Sequence, residues 1–511
     1  MRLGFTSLVI LAAACATPAS AQKAKDTLRL ALNDPFVNMA SYHYVGDEVA
    51  NFNRGIYESL IAFDERARKW LPSLAKSWTR VDPRTLEFEL REDVTFHNGN
   101  KFDADDVVAT IDYLKHPESK ILFKQRYTWI EKAEKLSPNK VRITSLEPLS
   151  TDLQLLAYRF VMWDAETLAS HQDKQDYGRL TPIGTGVMKV VQLDKNKGAI
   201  VERVDNYYGD KRYFRAGVKR VHGVPMPDRQ TQIANIMTGG IDMIRNASPD
   251  DARELGQNPK LEVTNTPVLN LYYMGFDTRG KSGTKLFTDE RVRRAVWMAI
   301  DRDSIIEHIV PGGPKVVEKM EALCFKTTTP ACNPTTRLPR FDPQGARRLL
   351  AEAGYPNGIE YDYTVTAPHR AIAEAIAGSL LKAGIRVNVR PVPLSVYRKD
   401  QGDGNVQSWS TVFPTGQHPD ASNNLETLLH GVFEQYYGDE ELKALLKAGL
   451  REFDEAKRAA IYQQAYDMVN NKAYLYPFSS VPNAYVHTRE VKVMENPQMA
   501  GETSVSDYAW K

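Results

Sequence analysis

The stretch 369–389 constrains the fold most strongly. Ile372, Ala375, Ile376 and Leu380 recur at helical spacing between about His369 and Ala383. Gly384 then stops the helix, and Ile385, Val387 and Val389 alternate as a strand. A helix that passes into a strand through one glycine predicts an α/β crossover, in which helices cover a sheet. Two further helices agree with this. Val292, Ala295, Val296, Ala299 and Ile300 form one face after Thr288. Asp342-Pro343 supplies an N-cap and a first-turn proline, Ala346, Leu349, Leu350 and Ala353 form the stripe, and Gly354 ends it. Earlier, Leu28, Leu30 and Leu32 alternate as a strand, as do Leu86, Phe88 and Leu90. Asn98-Gly99 marks a turn, and Asp103 caps a helix carrying Val107, Val108, Ile111 and Leu114. No fixed-period repeat is present, which excludes solenoids and propellers. The expected class is mixed α/β with two or more lobes.

The N-terminus predicts export. Arg2, the apolar run 8–14 and Ala19-Ser20-Ala21 have the three regions of a secretory signal peptide, with cleavage after Ala21 and a mature start at Gln22. A rival reading is a lipoprotein box at Cys15, after Ala12-Ala13-Ala14. Its usual leucine is displaced to Leu11, so a free periplasmic protein is favoured over a lipid-anchored one. Cys324 and Cys332 then remain, an even number in an oxidising compartment, and a local disulfide is the default reading. Two thiols without a nearby histidine make only half a zinc site.

Charge and motifs narrow the function. Lys+Arg is 66 against Asp+Glu 64, a formal net charge of +2, which argues against a nucleic-acid partner. The sequence has no G-x-x-x-x-G-K-[ST] phosphate loop, no H-E-x-x-H and no G-x-S-x-G. Gly184-Thr185-Gly186 lacks the third glycine of a dinucleotide fingerprint. The run 400–405 (DQGDGN) lacks the alternating ligands and distal glutamate of a calcium loop. No catalytic residue, metal or cofactor is assigned. A secreted hydrolase with a spatially assembled site and a periplasmic chaperone remain the alternatives.

Several blocks then occur together and in order. IYESLIAFDERARKWLPSLAKSW (56–78) and LEFELREDVTFHNGNKFDADDVVATIDYL (86–114) are followed by PIGTGVMKVV (182–191) and VERVDNYYG (201–209). LYYMGFDT, VRRAVWMAIDRDSII and FDPQGARRLLAEAGYPNG continue the series. This pattern resembles the family 5 extracellular solute-binding proteins, the dipeptide-, oligopeptide- and nickel-binding group of bacterial ABC transporters. The resemblance implies a non-enzymatic receptor with a two-lobed periplasmic-binding-protein-like α/β fold of the large class II type. Hinge strands would lie near 267–276 and 474–486, with a central ligand cleft between lobes. The larger lobe would comprise 22–268 plus 481–511, and the smaller 269–480. It further implies a small solute captured by hinge closure, a membrane permease as partner, ATP hydrolysis on a separate subunit, and a monomer.

Candidate cleft residues follow from aromatic and polar groups in segments that touch ligand in that family. Phe36 and Met39 lie in the loop after the first strand, with Tyr42 and Tyr44 just beyond. Tyr272 and Tyr273 alternate on the hinge strand, so only one can face the cleft, and Tyr272 is chosen. Arg370 opens a helix beside His369 and could fork-bind a carboxylate or form a surface ion pair. Trp409, Phe413, Gln417, His418 and Asp420 fall in the segment that runs W-x-x-D-x-x-D-P in relatives. There an acid holds a peptide's α-amino group, and an arginine ahead of the helix holds its carboxylate. Here the acid's place is taken by Gly416 and Gln417, and 363–368 contains no arginine. The expected solute is therefore not a standard dipeptide, unless Asp420 and Arg370 have taken over those roles.

Overall fold

The computed structural model describes residues 26–511 apart from 34–37, 45, 66, 211–215, 327–328, 330, 415–419, 431–433 and 497–502. The signal segment, Cys15, Phe36, Gln417 and His418 lie outside the described residues.

Two large sheets organise the chain. Thr27–Leu32 is buried along its whole length, as strands covered on both faces are, and pairs in parallel with Arg220–Pro225 and Met243–Ile244. It lies within a seven-stranded sheet whose order is Leu261–Thr266, Asn483–Thr488, Met243–Ile244, Thr27–Leu32, Arg220–Pro225, Gly198–Arg203 and Met188–Asp194. A five-stranded sheet has the order Ile385–Val392, Ile359–Thr366, Ser408–Pro414, Asn270–Phe276 and Leu475–Ser480. A four-stranded antiparallel sheet, Ala75–Asp82, Thr85–Leu90, Lys140–Ser145 and Ile130–Ser137, packs beneath the helix Ala104–Lys115. Asp103 and Asp106 cap that helix reciprocally.

The crossover expected from 369–389 is present. Ile359–Thr366 and Ile385–Val392 are parallel in the register Ile359↔Ile385 to Thr366↔Val392, with the helix Arg370–Leu381 between them. The helix ends at Leu381, two residues short of the expected Ala383. Its last turn opens into a tight loop closed by Gly384 at φ +77°, a left-handed conformation that favours glycine. Asp342 caps Pro343–Glu352 by accepting from the Gly345 amide at 2.7 Å, as the Asp-Pro pair predicts.

The chain crosses between the two large sheets twice. Leu261–Thr266 leads into Asn270–Phe276 through 267–269, and Leu475–Ser480 leads into Asn483–Thr488 through 481–482. Pro267 and Pro482 sit in these links. A proline has no amide hydrogen to extend a ladder, so each strand stops on one sheet and restarts on the other.

Separate cores support the two halves. One gathers Leu28, Leu30, Phe52, Phe88 and Trp163. On the five-stranded sheet Tyr272, Met274 and Phe276 enter one core, while Leu271 and Tyr273 enter another on the opposite face. That division is the period-two alternation of a central strand. Cys324 and Cys332 are bonded, with Cα atoms 5.6 Å apart, and fasten 324–332 onto the second of these cores.

Candidate binding cleft

Strand direction locates the cleft. In the seven-stranded sheet Thr27–Leu32, Arg220–Pro225, Met243–Ile244 and Leu261–Thr266 run the same way, antiparallel to Asn483–Thr488. In the five-stranded sheet Ile385–Val392, Ile359–Thr366, Ser408–Pro414 and Leu475–Ser480 run together, antiparallel to Asn270–Phe276. Both links between the sheets join the edge formed by the carboxyl ends of the parallel strands. Those two edges therefore adjoin, and open α/β sheets bind ligands outside the carboxyl ends. The loops emerging there begin at Asn33, Arg245, Ala367, Pro393 and after Pro414.

A polar network fixes the first of these loops. Glu48 accepts from the amide and side chain of Asn33, each at 3.1 Å, and pairs with buried Arg245 at 2.7 Å. Gln232 donates to Asn33 Oδ1 at 2.9 Å and to the Met226 carbonyl at 2.6 Å. Each of these groups has a partner within the protein, so they position backbone.

The predicted side chains occupy different surroundings. Met39 is fully buried, with its amide donating to the Gly178 carbonyl at 2.8 Å. Tyr42 is also buried; its hydroxyl donates to the Val161 carbonyl at 2.7 Å and its ring packs on Tyr127 and Trp163. Tyr272 sits against Phe478 and His369 inside one core, and Trp409 lies against Tyr436 inside another. The structure thus packs Met39, Tyr42, Tyr272 and Trp409 into the interior, where a large apolar surface is most stable. Phe413 is half-buried at the end of Ser408–Pro414. Arg370 is exposed and paired with Glu374 one turn along, at 2.7 Å, so the surface ion pair is what forms. Asp420 is buried: one oxygen accepts from the Ser422 amide, and both engage Arg458 at 2.6 Å. Both charged groups are thus paired within the protein.

Arg126 and Arg159 were not among the predicted residues, yet their setting is unusual. Arg159 ends the helix Asp152–Arg159 and reaches Asn423 Oδ1 of the opposite half at 3.5 Å. Arg126 lies with its guanidinium carbon 4.1 Å from the ring centre of Phe123, whose φ of +51° is rare for a non-glycine residue. Burial lowers the pKa of both, and Arg159, with Arg126 as a like-charged neighbour, is pushed down to about 10. Among the described residues no carboxylate lies within ion-pair distance of either guanidinium. Single arginines separated by 32 positions, 126 to 159 exclusive, carry no sequence signal; only the tertiary fold makes them neighbours.

His369 opens the cleft-edge helix and accepts or donates at 2.8 Å to Thr366 Oγ1. Burial lowers its pKa from 6.5 to about 4. Between those values the unfolded chain binds a proton that the folded state refuses. The stability from neutral His369 is complete above about pH 6.5 and is lost as pH falls toward 4. His369→Gln should flatten the acid limb of a Tm-versus-pH curve by up to roughly 2–3 kcal/mol. The limb should not vanish, because burial holds His43 and His97 at about 4 as well. Equal slopes in the two proteins would refute this assignment.

Among the described residues no group of three or more His, Cys, Asp or Glu could hold a metal ion, and no helix is long and apolar enough to cross a membrane.

Comparison with known proteins assigns the family. Heme-binding protein A of Haemophilus influenzae is 26% identical over 520 residues, covering 92% of each chain. The dipeptide-binding protein of Escherichia coli is 24% identical over 455 residues, covering 82% of each. The crystal structure of NikA from Brucella suis in complex with Fe(III)-EDTA superposes with a TM-score of 0.82 at 23% identity, over 95% of this chain and 100% of that one, and shows the same two-lobed fold. The model of the bacterial extracellular solute-binding proteins, family 5, matches residues 69–435, most of the chain, and the protein belongs to that family.

Proposed function

We propose that this family 5 receptor binds a small organic solute bearing a negative charge, seated on Arg126 and Arg159, and delivers it to an ABC import permease. The observation that carries the reading is the guanidinium pair at the junction of the two halves. Both guanidiniums are half-buried and have no carboxylate within ion-pair distance among the described residues, so an anionic solute would supply a counter-charge while linking one half to the other. The lobes in this proposal are 22–268 plus 481–511 and 269–480, hinged at the two proline-containing links. Closure around the solute gives the permease a distinct shape to recognise. Residues 1–21, read as an export signal, and the family support a receptor that works outside the cytoplasm, in the periplasm.

A standard dipeptide fits this cleft poorly. Asp420 is paired with Arg458 and Arg370 with Glu374, so neither of the two groups that could replace the relatives' peptide anchors stands free for a peptide terminus. Phe413 completes the proposed wall. Mass spectrometry of the solute released by denaturing the purified protein tests the proposal. An acid is expected, and adding it back to solute-free protein should reduce the radius of gyration. A neutral or cationic solute, or Ala-Ala binding at micromolar affinity, would overturn it.

A further inference from the structure

Besides the two hinge links, the halves meet along a separate seam. The loop 146–151 follows the strand Lys140–Ser145, and the facing segment 449–453 closes the helix Glu440–Arg451 of the other half. The Ser150 amide donates to the Leu450 carbonyl at 2.8 Å, and Ser150 Oγ donates to the Gly449 carbonyl at 3.2 Å. Glu147 pairs with Arg451 alongside. Arg80, held by both oxygens of buried Asp152 at 2.8 and 2.6 Å, lays its guanidinium carbon 4.8 Å from the ring centre of Phe453.

Both sides of this seam are built in advance. Asp152 is nearly inaccessible and fixes Arg80 from within its own half. Arg458 donates from Nε to the same Gly449 carbonyl at 3.0 Å while its two terminal nitrogens hold Asp420. The Gly449 carbonyl is therefore tied through Arg458 to Asp420 within its own half before it meets Ser150. A main-chain hydrogen bond between halves also requires a defined alignment, because both its atoms are fixed by backbone.

We propose that 147–150 and 449–453 form a latch that favours the closed arrangement of the lobes, whichever solute the cleft takes. It adds a bias toward closure that belongs to the protein alone, so the solute needs to supply less of the closing free energy. The exposed Glu147–Arg451 pair can be altered without touching the core or the binding residues.

Hydrogen exchange at the Ser150 amide, with solution scattering, tests the latch on solute-free full-length mature protein. Arg451→Glu places two like charges in contact and should speed Ser150 exchange roughly three- to fivefold, with a larger radius of gyration. The charge swap Glu147→Arg/Arg451→Glu should restore both values. Equal Ser150 exchange in wild type and Arg451→Glu, or a swap that fails to restore it, would overturn the latch. Neither result depends on the charge of the solute, so failure here leaves the anion reading to its own test.

Discussion

Arg159→Met should weaken binding of the released acid by at least about a hundredfold, a loss of roughly 2.7 kcal/mol, without lowering the melting temperature. The two halves of this expectation share one cause. The Arg159 guanidinium is half-buried beside Arg126 and lacks a carboxylate partner among the described residues. Removing it relieves burial cost and like-charge repulsion, so stability should hold or rise. With an anion bound, the same removal deletes a charge-assisted hydrogen bond in a partly buried site. Arg126→Met should behave alike, and Lys at either position should recover part of the affinity but not the planar two-point geometry. Isothermal calorimetry and thermal unfolding on the same samples decide the matter. Unchanged affinity would remove the arginines from the site, and a large drop in stability would make them structural.

The fold was legible wherever a local rule had one solution. The 369–389 crossover, the Asp103 and Asp342 caps and the alternation of Leu271, Tyr272 and Tyr273 all depend on periodicity or hydrogen bonding within a few residues. The adjoining of the sheet edges was not legible from such rules. It depends on two prolines 215 positions apart, Pro267 and Pro482, each ending a strand on one sheet.

The site was harder to read because aromatic residues have two uses. Tyr42, Tyr272 and Trp409 have the composition of a cleft wall, yet their surroundings are those of a core. A single sequence shows which residues are large and polar-tipped but not which side of a strand has neighbours. Arginine posed the opposite difficulty. Arg370 opens a helix at a cleft edge and could reach a ligand, but Glu374, one turn later, takes it up. Among the described residues Arg126 and Arg159 have no such carboxylate partner, a feature that appears only in the folded chain.

Asp420→Ala should cost about 3–5 kcal/mol of folding stability, because it strands a buried guanidinium. Burial by itself would lower the pKa of Arg458; the Asp420 carboxylate reverses that and leaves it raised. The side chain of Arg458 also lies over the Tyr462 ring, 4.9 Å from its centre, and is only partly exposed. The Asp420→Ala/Arg458→Met double variant should regain most of the loss, since an apolar side chain then fills the space without an unpaired charge. Urea unfolding of the two single variants and the double variant measures the coupling. If Asp420 instead anchored the ammonium group of a bound peptide, Asp420→Ala would abolish binding and scarcely change the unfolding midpoint. The bidentate geometry, with both carboxylate oxygens at 2.6 Å from Arg458, predicts the reverse order of effects. That order follows from the setting of the Asp420 carboxylate. It is paired with Arg458 and caps Ala421–Leu425, so its charge is engaged within the protein.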